Sequence, residues 1–399
     1  MTVSTLPAPT FQALIGELTT GKILTRVPLT GCAWQQVLNG AGTITGVTID
    51  AADLNIQTLG LYYAAAPPKA FIAIQYDQAI IAAGPIWTHN YVRSTGILTL
   101  GGAGLWSLFD HRFILPPLTE PLTLGAAQAA VTAYATGDGM SLGDIAAAIV
   151  AQAQEHVGGD LPIVMPPPQG QSPGAVRSYF GYELNPIGAR LTDLTGVASG
   201  PEIAFRPRIV ADDPTSIEWV LNVGSPAQPL LVQAGADWVF DASTPASMIA
   251  DITVDIDASG MATRMWELGS GSQAALMMSQ ADSTVLTADG YPLLESVQSH
   301  TTVTIQATLD AYASADLQAS NRPATVWKLL VHNDGAPPPG STIGGGPRLG
   351  QYNPGDTCQV VLGQDPYLPP GPRRARILMV SGDLTDSCLI TLATMSAEV

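Results

Sequence analysis

Charge is what this sequence has least of. Only 12% of its 399 residues are charged, about half the roughly 25% of ordinary globular proteins, so much of the surface must be neutral. A free monomer covered in this way is poorly protected against association. Two readings stand: a subunit buried in an assembly, or the Ala, Gly and Pro bias of a GC-rich coding sequence. Cations are scarcer still. Sixteen Lys and Arg against 33 Asp and Glu leave a formal net charge of −17, which excludes a surface that grips nucleic acid through clustered cations. A channel through which DNA merely slides is not excluded, because negative walls repel phosphates within a Debye length of ~8 Å at physiological salt. The three cysteines, Cys32, Cys358 and Cys388, form no C-x-x-C pair, so neither a disulfide framework nor a cysteine zinc site is encoded, and buried free thiols are expected. The opening MTVSTLPAPTF lacks the basic and apolar regions of a secretory signal. No apolar run approaches the ~18 residues of a membrane helix. Synthesis and assembly in a host cytoplasm are expected, with no membrane insertion by this chain.

What is present is apolar content and turn residues. Hydrophobic residues make up 46%, enough for sizeable cores in two or three domains. The 40 glycines and 32 prolines exceed the roughly 12% of average usage and favour short strands between many turns. The densest such region is 69–113. Phe71 to Tyr76 and Ala79 to Ala83 flank Asp77-Gln78 and predict a hairpin. Gly84-Pro85 punctuates, residues 86–93 alternate with the period of two of a half-buried strand, and Ser94-Thr95-Gly96 turns into Ile97 to Leu100. Gly101, Gly102 and Gly104 follow, where the chain can bend or be approached closely. No Lys-Ser or Lys-Thr follows them, so they are not a phosphate-binding loop.

Three domains are expected. Residues 1–118 form a first β-barrel domain, with its boundary near Pro116-Pro117. Residues 119–232 form an α+β module: Ser141 caps a helix carrying Leu142, Ile145, Ile149 and Val150, Met165 to Gly174 is a loop, and a second helix runs from Asn185-Pro186 through Ile187, Leu191 and Leu194 to a stop at Gly196. Residues 233–399 form a second β-barrel domain. Within it, Asp251 to Ile256 and Gly260 to Leu268 read as a hairpin turning at 257–260, and a helix from Thr308 carries Leu309, Tyr312, Ala313 and Leu317 and ends by Asn321. Gly335 to Gly355 reads as an exposed loop or contact arm. Thr357 to Leu362, Arg374 to Val380 and Cys388 to Leu392 read as the closing strands.

Three patches in a fixed order carry a resemblance. The first holds Tyr91, Arg93, Ile97 to Gly102 and Arg112-Phe113. The second holds GYELNPIGARLTDLTG (181–196), GPEIAFRPRI (200–209) and a hairpin at IEWVLNVGSP (217–226). The third holds YNPGDTCQVVL (352–362) and LPPGPRRARILMVSGD (368–383). Together they resemble the hub proteins of siphophage tail tips, filed as minor tail proteins in phages of actinobacteria and related to baseplate central hubs. The resemblance implies a mainly β fold in which two barrel-like domains of tail-tube type are joined by a smaller helix-containing one. It implies a homotrimeric structural virion protein, with the distal tail protein or tail tube above, fibre or spike proteins below, and the tape-measure protein and transient DNA in the lumen. The structural and interaction candidates are Trp87, Tyr91, Arg93, Gly101, Gly102, Gly104, Arg112, Arg206, Gly355, Asp356, Arg373, Arg374 and Arg376.

Chemical readings are weaker. Gly139 to Gly143 matches G-x-S-x-G, but the stretch before it is alanine-rich where a nucleophile elbow needs a strand, so Ser141 reads as a helix cap. Asp255, Asp257, Ser259 and Gly260 imitate the start of a calcium loop, yet Trp266 stands where a bidentate Glu is needed; a turn is expected, a loosely bound cation being the alternative. The histidines His89, His111, His156, His300 and His332 show no metal-ligand spacing. Asp110-His111 has no adjoining nucleophile except Ser107. The Arg373, Arg374, Arg376 cluster suits docking on an acidic neighbour, with DNA contact as the alternative. Trp87, Trp106 and Trp238 suit core packing, or else glycan binding. No catalytic, cofactor or metal residue is expected; the rival functions are a tail-associated cell-wall hydrolase and a host-glycan-binding module.

Overall fold

In the computed structural model the described residues are 11–53, 56, 60–117, 131–134, 139–170, 176–197, 200–244, 247–301, 303–336 and 345–394. The N-terminal strands are β1 (Phe11–Glu17), β2 (Ile23–Pro28), β3 (Gly31–Val37), β4 (Thr43–Asp50), β5 (Ala70–Tyr76), β6 (Ala79–Val92) and β7 (Ile97–Gly102). They lie side by side in the order β3-β4-β7-β6-β5-β1-β2. Every residue of β5 is buried, which is why AFIAIQY is a continuous run with no alternation. The expected hairpin forms: Tyr76 pairs with Ala79 across a two-residue turn in which Asp77 adopts φ 53°.

Gly84-Pro85 does not end a strand, contrary to the sequence reading. Instead β6 changes partner there. Its first half pairs with β5 as far as Phe71↔Pro85, and its second half pairs with β7 from Ile86↔Gly102. Proline has no N–H to give a ladder, so the change of partner falls where a donor is missing. The register shifts between Ile86 and Thr88, a bulge that interrupts the expected alternation at Trp87.

The middle segment contributes β8 (Val131–Tyr134), β9 (Ile163–Val164), β10 (Arg177–Phe180), β11 (Ile203–Val210) and β12 (Asp213–Val223), with helices α1 (Leu142–Gln154) and α2 (Ile187–Thr195). β8 pairs with β10, and β11-β12-β9 form a second small sheet. The stretch expected as a hairpin at 217–226 is instead one arm, β12, paired with β11. Ile217, Trp219, Leu221 and Val223 are its buried alternate residues. They share one core with Leu14 and Phe71 of the first strands and with Ile145, Ile149, Ile187 and Leu191 of the helices. Trp219 meets Phe71 edge-on at 5.9 Å and donates Nε1–H to the Ala83 carbonyl at 3.2 Å. The expected boundary at 118/119 lies outside the described residues, and strands before it share this core with the helices after it.

The C-terminal strands are β13 (Trp238–Ala242), β14 (Ile249–Asp257), then, after an insertion, β18 (Ala324–His332), β19 (Thr357–Leu362), β20 (Gly371–Gly382) and β21 (Ser387–Thr394). β20 pairs with β19, with β21 and, at its far end, with β3 through Val380↔Gln36 and Gly382↔Trp34. N- and C-terminal strands therefore form one 13-stranded sheet, mainly antiparallel, and no ring of strands closes among the described residues. Of the Gly335 to Gly355 stretch expected as an exposed loop or contact arm, 337–344 lie outside the described residues and 345–355 form a partly buried loop. Leu349 N–H bonds the Asn333 carbonyl, and Tyr352 is buried edge-on against Phe240.

The chain divides into two compact units, 1–252 with 329–399, and 253–328; the expected 232/233 boundary lies inside the first. The second holds more than the expected helix. Its β15 (Arg264–Leu268) lies between β16 (Met278–Asp282), antiparallel, and β17 (Glu295–Ser299), parallel. Helix α3 (Gln306–Ser320) buries Leu309, Ala313 and Leu317. The expected 251–268 hairpin is absent, since β14 pairs with β18 instead. After Gly260 the backbone is tied elsewhere: Ala262 N–H to Ser320 and Thr263 N–H to Leu294.

The cysteines are free and buried, as expected. Burial pushes Cys32 and Cys358 up to about 12 and Cys388 up to about 11, so none is a reactive thiolate at neutral pH. Among the described residues no helix is long and apolar enough to cross a membrane.

A Cβ on Gly104 would stand 2.0 Å from the Ala41 carbonyl oxygen, whereas one on Gly260 meets nothing within 4 Å. Gly104→Ala is therefore expected to cost roughly 1–3 kcal/mol through overpacking and Gly260→Ala less than about 0.5 kcal/mol. Denaturant unfolding of the two variants checks the contrast.

Candidate functional site

Charged side chains meet where three parts of the first unit converge. Glu202, at the foot of β11, is buried, and its Oε2 accepts Leu231 N–H at 2.7 Å. Its own N–H bonds the Pro229 carbonyl, and the next residue, Ile203, donates its N–H to Asn39 Oδ1 at 2.8 Å. Arg376 of β20 closes the junction, donating Nη2–H both to Glu202 and to the Leu231 carbonyl. Desolvation by burial raises the Glu202 carboxyl above its ordinary value, while Leu231 N–H and Arg376 pull it back. Arg206, on β11, lies 3.5 Å from Asp356 and donates to the Pro354 carbonyl at 3.2 Å. Asp356 also accepts from Trp238 Nε1 at 3.1 Å and from Asn353 N–H at 3.0 Å. Gly355 reaches this point at φ 99°, a backbone that L side chains rarely adopt.

The arginine cluster makes contacts within its own chain. Arg376 is buried within its own chain, and Arg374 makes a 2.7 Å pair with Asp237. Arg373 donates to the Pro369 carbonyl at 3.1 Å. The acidic neighbours of Arg374 and Arg376 are in the same polypeptide. No sequence signal marks Glu202 and Asp237, because their arginine partners lie 174 and 137 residues away.

The other candidates lie apart from the junction. Gly101 and Gly102 lie against β6, where an added Cβ would meet Thr88 Oγ1 at 2.4 Å and the Pro85 carbonyl at 2.6 Å. Arg112 donates to the Ala153 carbonyl at 3.3 Å and the Gly159 carbonyl at 2.7 Å, a cation at the C-terminal end of α1. Tyr91 and Arg93 are exposed near the β6–β7 turn. Trp87 donates to Ser107 Oγ at 2.9 Å and packs 4.9 Å from His111, Trp106 is buried, and Trp238 is held by Asp356, so none of the three is a free stacking platform. Aromatics that are exposed lie elsewhere, Tyr62, Tyr63 and Tyr367 among them.

Hydrolytic geometry does not assemble at Ser141. Its side chain is buried; Oγ accepts Asp144 N–H at 3.0 Å and donates to Asp144 Oδ2 at 2.9 Å, a helix cap. The calcium-like stretch does not converge either: Asp255 pairs with Lys328 at 2.7 Å and Asp257 accepts Ser259 N–H at 2.8 Å. A cavity of about 60 Å³ beside Arg206, Phe205 and Pro354 is far below the roughly 300–1,000 Å³ of a small-molecule site. This junction is a structural clasp.

Comparison with known proteins bears on fold. No family model matches the chain, and no curated protein matches it. Solved structures do. A prophage MuSo2 43 kDa tail protein from Shewanella oneidensis is similar over 96% of this chain and 98% of its own, at 9% identity and a TM-score of 0.55. A tail protein from Neisseria meningitidis is similar over 97% of each chain, at 13% identity and a TM-score of 0.52. A chain of the Francisella PdpA–VgrG complex is similar over 99% of this chain and 54% of its own, at 8% and 0.50. At these identities the likeness is one of fold: the chain has the fold of phage tail proteins.

Breaking the buried pair leaves an uncompensated charge. Arg376→Ala is expected to cost about 3–5 kcal/mol, and Arg374→Ala, whose pair is solvent-exposed, less than about 1 kcal/mol. Chemical denaturation of both variants measures the difference.

Proposed function

We propose that this chain is a structural virion protein, the hub at the tip of a long non-contractile phage tail. The observation that carries the reading is the edge-to-edge join of the N- and C-terminal strands through β20 and β3, within a fold shared almost end to end with two tail proteins. One subunit thus carries two blocks of strands. Three such subunits offer six blocks, the number needed to continue a sixfold tube while presenting threefold symmetry below. In this reading the chain is a homotrimer. The distal tail protein or tail tube lies above it, fibre or spike proteins lie below, and tape-measure protein and DNA pass through its lumen. Its action is symmetry adaptation and gated passage, with no bond made or broken.

The low charge content fits a surface buried between subunits, and the net charge of −17 fits a wall from which DNA does not adhere. Mass photometry of the purified chain is expected to give a trimer; a monomer or a hexamer at assembly concentrations overturns the reading. The assembled ring is expected to retain no duplex DNA at low salt, where electrostatic capture is strongest, and tight retention in a filter-binding assay contradicts the proposed passage.

A further inference from the structure

The 253–328 unit contains a carboxylate that its own chain leaves unsatisfied. Glu267, on the central strand β15, is 0% exposed, and among the described residues neither of its side-chain oxygens has a hydrogen-bond donor. Burial, then the neighbouring Asp316 carboxyl, pushes it up to about 7. A buried carboxylate without donors is costly to hold, so what surrounds it decides its use.

Two other ligating groups point at the same place. His300 follows β17, and its N–H is fixed on the Leu268 carbonyl at 2.7 Å. Its ring stacks on Tyr312 of α3, with centroids 4.2 Å apart and planes 13° from parallel. That stacking sets the ring so that Nε2 lies 3.2 Å from Glu267 Oε2 and 3.9 Å from Asp316 Oδ2. The 3.2 Å contact is close enough for an ion pair but lacks hydrogen-bond geometry. Asp316 sits one helical turn beyond Tyr312. One ligand atom from each of the three residues lies within 4.8 Å of the others.

We infer that Glu267, His300 and Asp316 form a binding site for a divalent transition-metal ion of the zinc type. Metal–ligand distances of about 2.0–2.2 Å place neighbouring tetrahedral ligand atoms roughly 3.3 Å apart, close to the spacing of His300 and Glu267. Two carboxylates and a neutral imidazole balance a dipositive ion. The imidazole nitrogen favours Zn²⁺ over Mg²⁺ or Ca²⁺, which prefer oxygen alone. The His300 and Asp316 side chains are 31% and 37% exposed, so the cluster lies near the surface although His300 Nε2 and both Glu267 oxygens are themselves buried. The ion would clamp α3 to β15 and the segment after β17. Sequence spacing could not show this site, because its ligands come from three elements spread over 50 residues.

The test uses the tag-free full-length chain, stripped with a chelator and titrated calorimetrically with Zn²⁺. One ion per chain is expected, and Co²⁺ is expected to bind with the visible absorption bands of a low-symmetry nitrogen–oxygen site. His300→Ala and Glu267→Gln are each expected to weaken Zn²⁺ binding by at least about tenfold, since even outer-shell changes cost 10–100-fold. Asp316→Asn, on a partly exposed helix face, keeps the test decisive if Glu267→Gln fails to fold. Absence of one-to-one binding, or affinity unchanged in both Asp316→Asn and His300→Ala, overturns the site.

Discussion

The buried pair between Glu202 and Arg376 constrains most of the larger unit. A carboxylate and a guanidinium taken out of water repay their desolvation only when the remaining donors and acceptors are also met. Here that condition is met in part: Leu231 supplies an N–H to one and a carbonyl to the other and Asn39 holds the adjoining backbone, while Arg376 Nε and Nη1 are buried without a hydrogen-bond partner among the described residues. Four stretches far apart in sequence are thereby fixed at one point: the turn after β3, the start of β11, the segment 224–231 and β20. Arg206 and Asp356 extend the arrangement toward β19. Few charges exist in this chain, and several of them are used inside it, holding the helix-containing segment onto the sheet.

Long strands that change partners supply the second constraint. β6 serves β5 with one half and β7 with the other, and β20 serves β19 and then β3 while β21 runs along its other side. Each change of partner lets one strand belong to two local sheets, so the N- and C-terminal blocks are joined by backbone hydrogen bonds rather than by a linker. A rigid join of this kind is what a subunit needs if its two halves are to occupy fixed neighbouring places in a ring. The 253–328 unit has its own small sheet and helix, and its chemistry is separate from the clasp.

Much of the local structure was legible beforehand. The β5–β6 hairpin followed from Asp77-Gln78 between apolar runs, the start of α1 from Ser141 and Asp144, and α2 from Pro186 and the spacing of Ile187, Leu191 and Leu194. Helix α3 was placed to within two residues at its start. The failures share a cause. Gly84-Pro85 was read as a strand end because proline breaks a ladder, but a strand that changes partners needs no donor at that residue. Asp251 to Leu268 was read as a hairpin because two strand-like runs flank a turn, and non-local partners for β14 and β15 outcompeted the local pairing. The intrachain partners of Arg374 and Arg376 were not legible either, because neither Asp237 nor Glu202 is near them in sequence.

By itself, the sequence determined that the chain is mainly β, that its cysteines are unpaired, that Ser141 caps a helix, and where its amphipathic helices begin. Those properties depend on composition, capping and short-range periodicity, which act over a few residues. Only the tertiary structure decided which strands are neighbours, that the N- and C-terminal blocks form one sheet, that 253–328 is a separate unit, and that Glu267, His300 and Asp316 converge. The reason is that backbone pairing and buried charge are satisfied by whichever groups the fold brings near, from opposite ends of the chain in the case of Trp34 and Gly382, and no local pattern encodes such distances.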